Sequence, residues 1–173
     1  MRKILVVIDM QKDFVDGSLG TPEAAGIVDA VVNEIGEYAP ENIYATRDTH
    51  PENYLETQEG RMLPVVHCVK GTPGWEINEK VAAALQGAEV IDKPTFGSLI
   101  LAEKLAALAE KEEIQVTLVG LCTDICVVSN ALLIKAYLPE IQVRVKADCC
   151  AGVTPASHEA ALTTMKMCQI EVL

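Results

Sequence analysis

Short apolar runs rich in β-branched residues alternate with helical stretches along the chain, and this alternation constrains the fold more than any other feature. The apolar runs predict strands at 3–8, 42–46, 89–91, 115–119, 141–145 and 169–173. The stretches between them predict helices at 22–38, 76–85, 99–111, 123–137 and 155–167. Such repetition is typical of a mostly parallel sheet with right-handed crossovers, so we expect an α/β fold.

Length and composition favour one domain spanning residues 1–173. A domain holds roughly 100–200 residues, and the chain has 173 residues without a repeat or a linker. Half of the residues are apolar but only 4% are aromatic, so the core must be built from Val, Ile, Leu and Ala. Such a core suits a sheet that is covered by helices on both faces.

The charge and the cysteines exclude several classes of protein. A formal net charge of -11 argues against nucleic-acid and membrane-surface partners, because both require clustered Lys and Arg. No apolar run approaches the roughly 20 residues of a membrane span. The six cysteines lie in a Leu- and Val-rich chain that is too large for a disulfide scaffold. We therefore expect free thiols and a cytoplasmic location.

Reactive side chains follow four of the predicted strands. Because the carboxyl ends of parallel strands meet at one edge of a sheet, where ligands bind, we expect these side chains to lie together. They are Asp9, Asp48, His50, Lys93, Cys122 and Cys126.

Three of these residues could form the machinery of a cysteine nucleophile. Cys126 falls in the first turn of a predicted helix, where the helix dipole and free N–H groups lower a thiol pKa and can hold an oxyanion. Asp9 is placed to act as a general base, and Lys93 to favour the thiolate. The alternatives at this point are a core cysteine, an ordinary loop carboxylate and a solvated lysine.

The segment 48–74 is polar, interrupted by Pro and Gly, and without a sustained period. A loop this long in a compact domain is usually functional. It contains Asp48, His50 and His67, which are potential ligands of a catalytic-type metal site. The alternative is that the histidines are only polar loop residues.

Six motifs, in order along the chain, carry a family resemblance. They are IDMQKDF (8–14), TRDTH (46–50), LPVVHC (63–68), GTPGW (71–75), KPTFG (93–97) and GLCTDICV (120–127), followed by DCCAGV (148–153). Together they resemble the isochorismatase-like cysteine hydrolase superfamily, and most closely its nicotinamidase/pyrazinamidase-type members. The resemblance spans nearly the whole chain and is much more specific for the superfamily than for the substrate.

The resemblance implies a three-layer α/β/α fold around a six-stranded parallel sheet. It also implies a catalytic triad of Asp9, Lys93 and Cys126. The oxyanion hole of the family maps onto the backbone N–H groups of Cys122 and Cys126. The peptide bond that enters Cys122 corresponds to a cis bond between non-proline residues in the family.

The same resemblance implies a divalent metal, with zinc favoured over iron and manganese. Asp48, His50 and His67 match the metal-binding positions of nicotinamidases. A fourth ligand in the family is a His or Glu of the intervening loop, for which Glu59 is the best match here and Glu56 a competitor. Phe14 matches an aromatic residue of the family's pocket, and we expect Trp75 to reach the same pocket.

We therefore predict an amidohydrolase that converts a small amide, nicotinamide in the first place, to its acid through a thioester. Family members often form oligomers, so we expect a homo-oligomer with a small-molecule amide substrate. One alternative is another amidase or a ureido/carbamoyl hydrolase with the same triad. The other is a non-catalytic module that binds a small ligand or senses oxidants through its thiols.

Overall fold

The computed structural model describes all residues from 1 to 173 and contains one six-stranded sheet. Its strands are β1 (Arg2–Ile8), β2 (Ile43–Asp48), β3 (Glu89–Lys93), β4 (Ile114–Leu121), β5 (Gln142–Ala151) and β6 (Glu171–Val172). Their order across the sheet is β3-β2-β1-β4-β5-β6, and every neighbouring pair is parallel. The predicted six-stranded sheet is confirmed, and it is parallel throughout.

Eight α-helices surround this sheet. They are α1 (Lys12–Val15), α2 (Pro22–Gly26), α3 (Val28–Ile35), α4 (Gln58–Met62), α5 (Glu79–Ala84), α6 (Leu99–Ala109), α7 (Val128–Tyr137) and α8 (Pro155–Met167). Shorter 3₁₀ turns lie at Pro40–Asn42, Tyr54–Glu56 and Pro73–Trp75, and a π-helical turn at Thr123–Val127 precedes α7.

The sheet and the helices on its two faces form three layers. One hydrophobic cluster lies on each face of the sheet, between the strands and the helices. Alternate side chains of a strand point to opposite faces, so Leu5 and Val7 of β1 join one cluster while Val6 and Ile8 join the other. Helices α2, α3 and α5 cover the first face, and α6, α7 and α8 cover the second. This arrangement confirms the expected α/β/α fold. Since all strands belong to one sheet, we propose that residues 1–173 form a single domain.

Helix ends follow the capping signals in the sequence. The hydroxyl of Thr21 accepts a hydrogen bond from the Ala24 N–H at the start of α2. Thr154 and Ser157 form a reciprocal capping box at the start of α8, with Pro155 at the first helical position as predicted. These caps fix the direction in which the chain leaves each preceding loop.

The observed elements differ from the predicted ones in several places. The helix predicted for 22–38 is divided at Ile27 into α2 and α3. Strand β5 continues to Ala151, six residues beyond the prediction, through an irregularity in its pairing with β4. The irregular segment after β2 contains α4 and short 3₁₀ turns. None of the helices has the length and apolar character needed to cross a membrane.

Candidate active site

The functional side chains predicted from the sequence meet at the carboxyl edge of the sheet. Asp9 directly follows β1, while Asp48 and Lys93 are the last residues of β2 and β3. Cys126 lies in the π-helical turn after β4. Because β3, β2, β1 and β4 are consecutive in the sheet, their ends bring these four side chains together.

Lys93 lies between the proposed base and the proposed nucleophile. Its Nζ is 2.7 Å from Oδ2 of Asp9 and 3.3 Å from Sγ of Cys126. All three side chains are buried, with Asp9 and Lys93 at 0% and 1% exposure. The Thr46 hydroxyl donates a hydrogen bond of 2.6 Å to the other carboxylate oxygen of Asp9. The Asp9 carboxylate is therefore held on both sides by fixed donors.

Burial and mutual charge set the protonation of this group. Burial raises the pKa of Asp9, and the Lys93 ammonium only partly offsets it. Burial alone would lower the pKa of Lys93, but the carboxylates of Asp9 and Asp48 raise it, so the ammonium stays charged. Burial and the Asp9 carboxylate raise the pKa of Cys126 well above its ordinary value. The prediction of a lowered thiol pKa is wrong for the resting protein, because desolvation and the Asp9 carboxylate outweigh the Lys93 ammonium.

The turn that carries Cys126 has an unusual backbone. Its five residues Thr123–Val127 form a π-helical turn, a feature frequent at functional sites. The N–H groups of Ile125 and Val127 both donate to the carbonyl of Cys122. The peptide bond between Leu121 and Cys122 is cis, which confirms the bond expected at this position.

A buried asparagine ties this turn to the loop after β3. The Asn130 amide donates hydrogen bonds to the carbonyls of Cys126 (2.8 Å) and Phe96 (3.1 Å). Its Oδ1 accepts a hydrogen bond of 2.9 Å from the N–H of Ser98. The loop that follows Lys93 and the turn that carries Cys126 are therefore fixed to each other by the Asn130 side chain.

Four potential metal ligands lie beside Lys93. The side chains of Asp48, His50, Glu59 and His67 each offer one ligand atom, and these atoms all lie within 4.8 Å of one another. Asp48 Oδ2 is 2.9 Å from His50 Nε2, and its other oxygen, Oδ1, is 3.5 Å from Lys93 Nζ. Glu56 accepts a hydrogen bond from Asn53 instead, so Glu59 is the glutamate of this cluster.

These four residues fit a divalent metal. His50 Nε2 is buried and makes no hydrogen bond, although it faces the carboxylates of Asp48 and Glu59. His67 Nδ1 lies 2.7 Å from the carbonyl of Val65, which leaves its Nε2 directed at the cluster. Two imidazoles and two carboxylates form a donor set that suits Zn²⁺. A backbone carbonyl on the second ring nitrogen is the usual partner of a metal-bound histidine.

A mostly apolar cavity of about 260 Å³ connects the thiol to the metal-ligand cluster. Fourteen residues line it, and Lys and Arg side chains are absent from the lining. They are Phe14, Leu19, Thr21, Ala24, Asp48, Glu59, Leu63, His67, Phe96, Cys122, Ile125, Cys126, Gly152 and Val153. A small neutral molecule in this cavity would touch both Cys126 and the cluster.

The sequence predicts that Phe14 and Trp75 both line the pocket, but only one of them does. Phe14 lines the cavity, and its ring centroid is 5.5 Å from that of His67. Trp75 is not among the residues that line the cavity. Its indole N–H donates to the hydroxyl of Thr49, and the Arg47 guanidinium stacks on its ring at 3.6 Å. These two contacts hold Trp75 outside the cavity.

Several site residues were missed in the sequence. Tyr54 is buried against both cluster histidines, with ring centroids 4.7 Å from His50 and 4.9 Å from His67. Phe96 and Val153 belong to the wall of the cavity although they are in part exposed. All three lie in irregular segments where no hydrophobic period singles out a residue.

Comparisons with known proteins agree on the family. A family model described as "Isochorismatase domain" matches residues 3–173. The nicotinamidase/pyrazinamidase of Mycobacterium tuberculosis is 27% identical, with 99% of this chain and 98% of the relative covered. An uncharacterised isochorismatase family protein of Bacillus subtilis, PncA, is 29% identical over 94% of this chain and 93% of the relative.

A solved structure extends this similarity to the fold. The pyrazinamidase of Pyrococcus horikoshii, in complex with zinc, is 30% identical and has a TM-score of 0.81. The alignment covers 100% of this chain and 99% of that one. Similarity to these relatives indicates a hydrolase that acts on amide C–N bonds. The chain belongs to the isochorismatase family.

Proposed function

We propose that this protein is a nicotinamidase that hydrolyses nicotinamide to nicotinate and ammonia through a thioester on Cys126. The observation that carries the proposal is the position of Lys93 Nζ, 2.7 Å from Asp9 and 3.3 Å from the Cys126 sulfur, beside a small cavity. The names of the Mycobacterium tuberculosis and Pyrococcus horikoshii relatives support the choice of substrate class.

The first half of the reaction forms the thioester. Asp9 takes the proton of the Cys126 thiol, and the sulfur attacks the amide carbon. The raised pKa of Asp9 suits this role, because a base works best when its pKa approaches the operating pH. The backbone N–H groups of Cys122 and Cys126 hold the oxyanion, and the Lys93 ammonium adds a positive field. Asp9 then returns the proton to the departing ammonia.

The second half regenerates the thiol. Asp9, again ionised, takes a proton from a water molecule, and the resulting hydroxide attacks the thioester carbon. The C–S bond breaks, protonated Asp9 gives its proton to the thiolate, and the acid leaves and releases its own proton to solvent to become the carboxylate. Lys93 keeps its charge throughout, because the carboxylates around it raise its pKa.

Asp48, His50, Glu59 and His67 would hold the divalent metal, for which we propose Zn²⁺. When bound, the metal supplies a Lewis acid that can bind the ring nitrogen of the substrate and orient the amide. Phe14 and Phe96 contribute apolar walls on which the flat ring can pack.

The composition of the cavity favours a neutral amide over a ureido acid. Apart from the proposed metal, the lining of the mostly apolar cavity has no Lys or Arg side chain to pair with a substrate carboxylate, so binding an anion there leaves a desolvated charge. The only buried ammonium nearby, Lys93, is already shared by Asp9 and Asp48. We therefore expect substrates without a carboxylate.

Ammonia release from two substrates tests this proposal. We expect the kcat/KM for nicotinamide to exceed that for an anionic ureido acid such as N-carbamoylglycine by at least about 100-fold. Turnover of the ureido acid without turnover of nicotinamide would show that the chain is a ureido hydrolase. Rapid thiol alkylation with no turnover of either compound would favour a thiol sensor.

A further inference from the structure

Gln11 is a fully buried polar residue two positions after the proposed base, and every hydrogen-bonding group of its amide has a partner. Its Oε1 accepts a hydrogen bond of 2.7 Å from the N–H of Asp48. Its Nε2 donates to the carbonyl of Asp48 at 2.8 Å and to that of Trp75 at 2.9 Å. One side chain thus binds both backbone groups of Asp48.

These bonds fix Asp48 at the point where β2 ends. A residue inside a sheet is held by backbone hydrogen bonds on both sides, and the Gln11 amide supplies the equivalent bonds from a side chain. Gln11 itself is anchored, because its neighbours Met10 and Lys12 exchange backbone hydrogen bonds with Asn78 and Glu76. Gln11, which holds Asp48, is therefore itself fixed in position.

The position of Asp48 matters to two parts of the site at once. One of its carboxylate oxygens lies 2.9 Å from Nε2 of His50, inside the cluster of metal ligands. The other oxygen lies 3.5 Å from Nζ of Lys93, which also contacts Asp9 and Cys126. A rotation of the Asp48 backbone would move both oxygens.

We propose that Gln11 is a positioning residue, which holds Asp48 in the geometry that the metal and Lys93 require. The inference rests on the metal site proposed above. Glutamine fits this task because its amide offers two donors and an acceptor at once. Replacing a residue that holds a metal ligand in place typically alters metal affinity about 10- to 100-fold.

The test compares two buried amides in the same protein. Gln11→Met keeps the length and volume of the side chain but removes all three hydrogen bonds. Asn130→Leu is the matched control, because Asn130 is equally buried and also bonds three backbone groups, but none of them belongs to a residue of the metal cluster. Zn²⁺ affinity is measured by competition with a chromophoric chelator, and stability by thermal unfolding.

We expect both variants to lose stability, and only Gln11→Met to lose Zn²⁺ affinity, by about 10- to 100-fold. Wild-type Zn²⁺ affinity in Gln11→Met would overturn the inference and leave the metal site intact. An equal loss of affinity in Asn130→Leu would also overturn it, since general loosening of the site would then explain both.

Two further outcomes are decisive. If the wild-type protein binds no Zn²⁺, the proposed metal site fails and the inference fails with it. If Gln11→Met does not fold, Gln11→Asn replaces it, since this shorter amide keeps the polarity but cannot reach all three partners. Wild-type Zn²⁺ affinity in Gln11→Asn would then overturn the inference.

Discussion

At the scale of single residues, the reactivity of the site depends on how burial and charge are shared among Asp9, Lys93 and Cys126. The prediction of an activated thiolate rests on the helix dipole, the free N–H groups and Lys93, whereas the structure adds complete burial of the thiol and a facing carboxylate. A thiol with a raised pKa requires a base to remove its proton, and Asp9 is the base we propose. Local sequence cannot report this, because the depth of burial depends on four separate strands.

Thr46 provides a test of Asp9 as the base. Its hydroxyl lowers the pKa of Asp9 through a hydrogen bond, against the dominant effect of burial. Thr46→Val removes this bond while preserving the shape, so the pKa of Asp9 should rise further. Since Asp9 must be ionised to act as a base, the acidic limb of kcat/KM against pH should move to higher pH. We expect the maximum to fall about 10-fold.

Thr117→Val serves as the control for this change. Thr117 is also buried, but it lies in the interior of β4. Thr117→Val should leave the acidic limb of kcat/KM against pH unshifted. An unshifted acidic limb in Thr46→Val would contradict the role assigned to Asp9.

At the scale of secondary-structure elements, the end of β4 depends on Gly120. Its φ of 115° is rarely adopted by other residues, and a Cβ there would overlap the backbone carbonyl of Ile8 in β1. Gly120→Ala should therefore lower the free energy of unfolding by about 2–6 kcal/mol, from backbone strain and overpacking together. Denaturant unfolding measures this loss.

Gly26→Ala is the matched glycine control. Gly26 ends α2, and a Cβ there meets no atom within 4 Å. The substitution should stabilise the protein by about 0.4–1 kcal/mol, because it reduces the freedom of the unfolded chain. Equal changes in the free energy of unfolding of Gly120→Ala and Gly26→Ala would show that β1 does not approach position 120 closely enough to clash with a Cβ.

The sequence predicts the elements of this fold well where a period or a cap marks them. The six strands and the start of α8 follow from apolar runs and from Thr154 with Pro155. The pocket is less predictable, because its walls come from separate loops. The family resemblance places Trp75 in it, yet the Trp75 side chain contacts Thr49 and Arg47 instead. Such contacts depend on tertiary packing that no local pattern records.

At the scale of the whole molecule, the metal-ligand cluster joins the end of β2 to the irregular segment that follows it. Asp48 and His50 lie at the end of β2, whereas Glu59 and His67 lie in the irregular segment that follows. Zn²⁺ bound to all four should therefore hold this segment against the sheet. At a free concentration of 100 times Kd, binding should add about 2.7 kcal/mol of stability.

Hydrogen exchange with and without Zn²⁺ checks where this stabilisation acts. Protection should increase mainly between residues 49 and 70, with little change in α7 and α8. Uniform protection, or no change near the cluster, would contradict the proposed ligand set. The expected homo-oligomer and cytoplasmic location stay predictions.

The most direct test of the account is the turnover of nicotinamide by Cys126→Ala, measured as ammonia release beside the wild-type protein and Cys168→Ala. Cys168 is an exposed free cysteine at the end of α8, outside the cavity lining, and its loss should leave turnover unchanged. We expect Cys126→Ala to fold normally and to lose at least about 1,000-fold in kcat, because its nucleophile is gone. Turnover of nicotinamide by folded Cys126→Ala at the wild-type rate would contradict the account.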